Sequence, residues 1–201
     1  MRAVGFDADG VLMDSRDFAW RAAERVLASF GVTTSIASPE AMEAAFGHAA
    51  QSALVGARYA GALRMAHRLV MRHSAADIDL FHGALAVVER LPARRILVTA
   101  ALADGIATCL GDHTGLFDEI VGFENGRKPD LLARYAPHLA TYVTDTAVDI
   151  KDCKALGIPV IGVSWGYDGR ATLEAAGPTA IAETPSQLLA LINHLTMEKT
   201  Q

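Results

Sequence analysis

Cysteine is scarce in this sequence, with two in 201 residues, and Cys109 and Cys153 have no metal-like spacing. That excludes a disulfide framework and a thiolate metal centre, and leaves two buried reduced thiols as the simplest reading. A long apolar run is missing as well: none approaches the ~20 residues needed to span a bilayer. The start of the chain, Met1-Arg2-Ala3-Val4-Gly5-Phe6-Asp7, turns acidic too early for a secretory signal. A basic surplus is also absent. With 18 Lys and Arg against 23 Asp and Glu, the net charge of −5 gives no footprint for nucleic acid. Charged residues make up only 20% against a hydrophobic share of 51%, the reverse of a disordered composition. A soluble cytoplasmic protein with no nucleic-acid or membrane partner is expected, and any anion it binds must be held by a local site.

What is present is an interrupted alternation. Residues 3–7 form a short apolar run ending at an aspartate, the pattern of a buried strand. From 16 to about 76 nothing strand-like follows. Phe18, Ala22, Val26 and Phe30 recur every fourth residue, predicting one stripe of a helix that stops at Gly31. Ser38-Pro39 looks like an N-cap with proline at the first helical position, opening a helix over 40–46. Leu63, Ala66, His67 and Val70 continue a helical period in a third or fourth segment. Strands are then expected at 95–99, 119–123, 141–144, 160–164 and 180–182. Helices are expected between them at 84–91, 103–110, 129–136 and 148–156, and a further one after 164. A last helix opens at Thr184-Pro185-Ser186-Gln187, read as a capping box. This predicts an α/β fold with a Rossmann-like parallel sheet covered on both faces, and an inserted all-helical cap. The expected division is a core of residues 1–14 and 81–201 with a cap of residues 15–80.

Ligands of an open parallel sheet sit beyond the carboxyl ends of its strands, and four polar groups fall there. Asp7 and Asp9 flank Ala8 straight after the first strand, with Gly10 next. Two like charges so close are best tolerated when a cation or a proton shares the site. Thr99 closes the second strand, Lys128-Pro129 opens a helix, and Asp145 and Asp149 follow Tyr142-Val143-Thr144. Each has an ordinary explanation alone: a turn aspartate, a strand threonine, an exposed lysine, an N-cap. Together they supply four acids, a hydroxyl and a lysine, a donor set that suits Mg²⁺ and a phosphoryl group.

With those residues in view, the sequence resembles the haloacid dehalogenase superfamily, in its phosphatases that carry a helical cap after the first strand. Phe6-Asp7-Ala8-Asp9-Gly10-Val11-Leu12-Met13-Asp14-Ser15 is similar to the first family motif. Ile96-Leu97-Val98-Thr99 resembles the second, Lys128-Pro129 the third, and Tyr142 through Ile150 the fourth. Gly162 to Tyr167 and Glu183 to Ser186 look like the closing segment of phosphoglycolate-phosphatase-like members. The resemblance implies that Asp7 attacks phosphorus to form an aspartyl-phosphate and that Asp9 serves as general acid and base. It also implies that Thr99, Lys128, Gly10 and Ala100 hold the phosphoryl group. Mg²⁺ would bind to Asp7, the main-chain carbonyl of Asp9, and Asp145, with Asp149 in or beside its shell. The partner implied is a small phosphorylated metabolite, phosphoglycolate or a small sugar phosphate being the leading guesses, and the protein would be a monomer or homodimer. His48, His67, Arg58 and Arg64 are the cap residues considered for the rest of the substrate, although a solvated helix face also accounts for each.

Two positions depart from the family pattern. Thr144 stands where glycine is frequent and Val11 where threonine is commonest; neither supplies essential chemistry, so activity is expected to survive both. Members of the family that act on carbon–halogen or phosphonate bonds usually lack the second aspartate, so the resemblance with Asp9 present implies phosphate esters, and the cap lysine of the phosphonate enzymes has no counterpart in 15–80. A sugar-phosphate mutase is the nearer alternative, but 46–50, Phe-Gly-His-Ala-Ala, lacks the arginine those mutases carry. The other alternative is a phosphate-binding regulatory module with little turnover.

Overall fold

Apolar runs of three to six residues become six parallel strands: β1 (Ala3–Phe6), β2 (Arg95–Val98), β3 (Glu119–Val121), β4 (Leu139–Thr144), β5 (Val160–Val163) and β6 (Ala180–Ala182). The computed structural model describes residues 2–46 and 48–197, apart from the side chains of residues 48 and 49, so the proposed substrate contact of His48 lies outside the described residues. The strand order is β3-β2-β1-β4-β5-β6. Every residue of β1, β4 and β5 is buried, as expected of central strands covered on both faces, while β3 and β6 at the edges are partly exposed.

The helices are α1 (Arg16–Ser29), α2 (Pro39–Phe46), α3 (His48–Val55), α4 (Ala57–His73), α5 (His82–Arg90), α6 (Ala103–Leu110), α7 (Lys128–Tyr135), α8 (Ala147–Ala155), α9 (Arg170–Ala176) and α10 (Pro185–Met197). Alternation along each strand sorts side chains to two cores. Val4, Phe6 and Leu97 pack with Leu85, Ile106 and Ile192 of α5, α6 and α10. Ile96, Val98 and Tyr142 pack with Leu131, Ile150 and Leu173 of α7, α8 and α9. Gly5 lies on this second face, where a Cβ would stand 2.7 Å from the Tyr142 ring.

A third apolar cluster, including Ala23, Val26, Leu27, Phe46 and Leu63, belongs to the helices that follow β1. The stripe read from the sequence is corrected here. Ala19, Ala22, Ala23, Val26 and Leu27 are the buried residues of α1, whereas Phe18 is half-buried and Phe30 exposed. A four-residue step overshoots a 3.6-residue turn by about 40°, so an every-fourth series drifts off the buried face at both ends.

Two other local readings change. Thr146, not Asp145, caps α8, accepting from the Asp149 amide at 3.4 Å. At α10 the Gln187 amide donates to Thr184 Oγ1, but the Gln187 side chain accepts from the Glu183 amide, one residue earlier than a capping box requires. The two strands of chain leading into and out of the helical insertion are joined. Met13 and Leu80 form an antiparallel bridge, and the amides of Asp14 and Phe81 donate to the carbonyls of Asp79 and Leu12, both at 2.8 Å.

Candidate active site

Sheet order reverses direction at β1, with β2 on one side and β4 on the other, and a crevice for ligands opens at such a point. Phe6 is level with Leu97 of β2 and Val143 of β4, so Asp7, Thr99 and Asp145 all leave the sheet at one edge. Asp7 is buried; its amide donates to the Val143 carbonyl, and its Oδ1 accepts from the Ala8 amide at 2.8 Å. Pro129 in the first turn of α7 fixes the start of that helix, and Lys128 beside it points inward. The Lys128 ammonium stands 2.6 Å from Asp7 Oδ2 and 2.5 Å from Asp149 Oδ2, bridging two carboxylates in a buried setting.

The charges of this cluster are strongly coupled. Burial pushes the Asp7 carboxyl up; Lys128 opposes that, and Asp149 and Asp9 add to it. Burial alone would lower the Lys128 ammonium, but Asp149 and Asp7 outweigh it and hold it above the usual lysine range. Asp145 is pushed well up by burial and then by Asp7. Its Oδ2 accepts from the Tyr167 amide at 2.8 Å, while Oδ1 is buried with no hydrogen-bond partner. A buried carboxylate oxygen without a donor is costly unless a cation or ligand group meets it.

Whether these residues fit Mg²⁺ can be judged from the donors. Among the described residues no three side chains of the Asp, Glu, His and Cys set converge on one point. Asp149 Oδ2 is turned to Lys128 and to the Thr144 hydroxyl. Mg²⁺, however, is commonly held by one or two carboxylates, with waters and substrate phosphate completing its octahedron. Asp7 and the unpartnered oxygen of Asp145, with a main-chain carbonyl, match that smaller demand.

Thr99 is fully buried, and its Oγ1 accepts from the Ala101 amide at 3.0 Å, ordering the loop that includes Ala100. Gly10 has φ +72, and a Cβ there would stand 1.8 Å from Asp145 Oδ2. Both the turn and the close approach therefore demand glycine. Asp9 borders a cavity of about 250 Å³ between the helical insertion and the sheet edge. Arg64 and His67 border it too, whereas exposed Arg58 pairs with the neighbouring Tyr59 hydroxyl and is not in its lining. Arg64 donates to Gln51 at 2.8 Å. His67 Nε2 lies 3.0 Å from the Ala19 carbonyl, and burial lowers its imidazole pKa.

Several contributors were not read as such in the sequence. Thr144 donates to Asp149 Oδ2 at 2.8 Å, so the hydroxyl read as chemically silent holds one of the four acids. The segment Trp165-Gly166-Tyr167 wraps the first loop. The Trp165 indole donates to the Val11 carbonyl, a Cβ on Gly166 would collide with Asp145, and the Tyr167 hydroxyl shares a hydrogen bond with Ser15. Asp168 accepts from the Ala147 amide at 2.7 Å and secures the start of α8. For Trp165, Gly166 and Tyr167 the signal was the Gly162–Tyr167 segment, legible as a resemblance and not as geometry; Asp168 lies just outside it.

Solved structures give the fold a context. A haloacid dehalogenase-like family hydrolase from Streptococcus pneumoniae superposes with a TM-score of 0.76 at 20% identity, over 96% of this chain and 98% of that one. The chain has the haloacid dehalogenase-like fold. A protein of this same fold from Thermotoga maritima, provisionally described as a beta-phosphoglucomutase, superposes with a TM-score of 0.61 at 20% identity, over 96% and 99% of the two chains. Among curated proteins, the phosphoglycolate phosphatase of Synechococcus elongatus is 36% identical over 67 residues. That match spans about a third of either protein, 32% of each. No family model matches the sequence. Among the described residues, no helix of the fold is long and apolar enough to cross a membrane.

Proposed function

We propose that the protein is a Mg²⁺-dependent phosphomonoester hydrolase that works through an aspartyl-phosphate on Asp7, with residues 1–14 and 81–201 as its catalytic core and 15–80 as a cap. The observation that carries this reading is the buried bridge of Lys128 between Asp7, just after β1, and Asp149, in the first turn of α8. A structural ion pair needs one acid for one base. Two carboxylates on one lysine, with the unpartnered Asp145 oxygen nearby, suit a site that receives further positive charge and an anion.

In this reading an Asp7 oxygen attacks phosphorus as the bond to the substrate's ester oxygen breaks, and the Asp9 carboxyl gives that oxygen its proton. Asp9, now ionised, takes a proton from water. The water oxygen attacks phosphorus, and the Asp7 carboxylate leaves. Lys128, the Thr99 hydroxyl and the amides around Gly10 and Ala100 hold the phosphoryl oxygens in both steps. When bound, Mg²⁺ would offset negative charge between the acids and the phosphoryl group. The Asp7 and Asp145 carboxylates and the Asp9 carbonyl would hold it, with Asp149 alongside. The alternative of a sugar-phosphate mutase has the Thermotoga maritima neighbour in its favour, but not the cap arginine.

Hydrolysis of p-nitrophenyl phosphate tests the reading. Wild type should turn over with Mg²⁺ and stop in excess chelator. Asp7→Asn should retain its circular dichroism spectrum and lose activity by about 10³-fold or more. Undiminished turnover by a folded Asp7→Asn protein, or full activity in chelator, would withdraw the mechanism.

A further inference from the structure

The cavity beside Asp9 has two chemical characters. Most of its lining is apolar, including Met42, Phe46, Met71, Leu102 and Ile106. About 150 Å³ of apolar cavity suffices for benzene, so about 250 Å³ admits an aromatic ring with a substituent. A glycolate or a polyhydroxylated sugar would leave this wall poorly covered, and sugar hydroxyls would lose water without finding donors.

The second character is positive. Arg64, Arg68 and Arg72 follow one another at four-residue spacing on α4 and all border the cavity. Arg72 is neutralised by Asp104 at 2.6 Å. Among the described residues, neither Arg64 nor Arg68 has a carboxylate within ion-pair distance. Arg68 uses Nε on the Ala100 carbonyl at 2.7 Å and stacks 3.8 Å over Phe123. Burial, and then the neighbouring Arg64, lower its pKa. Like charges four residues apart on a helix repel each other, and an anion between them would relieve that cost.

We propose that the substrate's alcohol part is a compact apolar body, of the size of one aromatic ring, carrying a second anionic group that Arg64 and Arg68 receive. The assignment rests on the phosphatase reading, because it makes the cavity next to Asp9 the seat of the leaving group. It narrows the substrate class to amphiphilic phosphate esters and sets both short and sugar-like esters below them.

Four esters separate the two characters: ethyl phosphate, phosphoglycolate, benzyl phosphate and 4-carboxybenzyl phosphate. At equal charge the ring should raise kcat/KM about tenfold or more. At equal size the carboxylate should raise it by a similar factor of about ten. Arg64→Gln and Arg68→Gln should each shrink the carboxylate's advantage toward one while the ring's advantage persists. Binding of the corresponding alcohols, followed by ligand-observed NMR, tests the cavity without turnover. The expected order puts 4-(hydroxymethyl)benzoate ahead of benzyl alcohol and of glycolate. Failure of either preference in the alcohol series, or a reversed order among the esters, overturns the proposal. If no ester and no p-nitrophenyl phosphate is hydrolysed but the alcohol order holds, the phosphatase reading fails and the cavity assignment stands.

Discussion

One hydroxyl decides how Asp149 is held. Thr144 sits at the last position of β4, fully buried, and shares Asp149 Oδ2 with Lys128. Thr144→Val keeps the shape and removes the donor. It should cost about 2 kcal/mol of stability, since hydrogen bonds to charged groups are worth about 1.5–3 kcal/mol. Under the proposed mechanism it should also lower kcat more than it raises KM, and Thr144→Ser should restore both. Denaturant unfolding and steady-state kinetics on the two variants check this, and Val and Ser variants that behave alike would remove the role. Cys109 offers a separate test at the same scale. Burial pushes its thiol up to about 11, with Asp9 and Asp79 adding to the effect. The thiolate is the reactive form, so below that value its fraction grows tenfold per pH unit. Alkylation by iodoacetamide at Cys109, read by peptide mass spectrometry, should therefore be slow at pH 8 and still be climbing at pH 10. A free thiol with a pKa of ~8.5 levels off well before that. Cys109 is half-buried, unlike the fully buried Cys153, and a plateau near pH 9 in the native protein would contradict the effect of that setting.

Between elements, the decisive contact is that of α6 with α4. A Cβ on Gly105 would lie 3.2 Å from the Arg72 Cα, so the missing side chain lets the two helices touch at backbone level. The exposed Arg72–Asp104 pair beside it adds little, as surface ion pairs are worth about 0–1 kcal/mol. Gly105→Val should force α4 outward and destabilise the protein by about 1–3 kcal/mol, the usual cost of overpacking. Asp104→Asn should change thermal stability far less; equal losses would invert this ranking of the two contacts. The contact also marks a limit of sequence reading. The strands were legible because each is an apolar run stopped by a polar or turn residue, and all six appear within a few residues of their expected bounds. The buried face of α1 was read with Phe18 and Phe30 in it, since spacing alone does not tell which flank of an amphipathic helix meets a neighbour. Nothing local in the sequence marks Gly105 as the point where a distant helix arrives.

At the scale of the whole molecule, the same division explains what could be read of the site. Asp7, Thr99 and Asp145 were visible because strand ends in a parallel sheet share one edge, whatever the intervening chain does, and Lys128 because Pro129 marks a helix start beside it. Thr144's bond to Asp149 and the wrap of Trp165 to Tyr167 over the first loop depend on how that edge closes, which only tertiary packing sets. The paired segments at the root of the helical insertion bear on something else, the engineering of such a chain. Residues paired across an antiparallel ribbon lie only about 5 Å apart, so Met13 and Leu80 are near enough to be joined by a two-residue turn. Residues 14–79 therefore leave and rejoin the rest of the chain at the spacing of a hairpin loop. A chain with residues 14–79 replaced by Asn-Gly should thus still give a cooperative unfolding transition and the circular dichroism of a parallel α/β sheet. A molten or aggregated product would mean instead that insert and core form one folding unit, stitched by contacts such as that of Arg72 with Gly105.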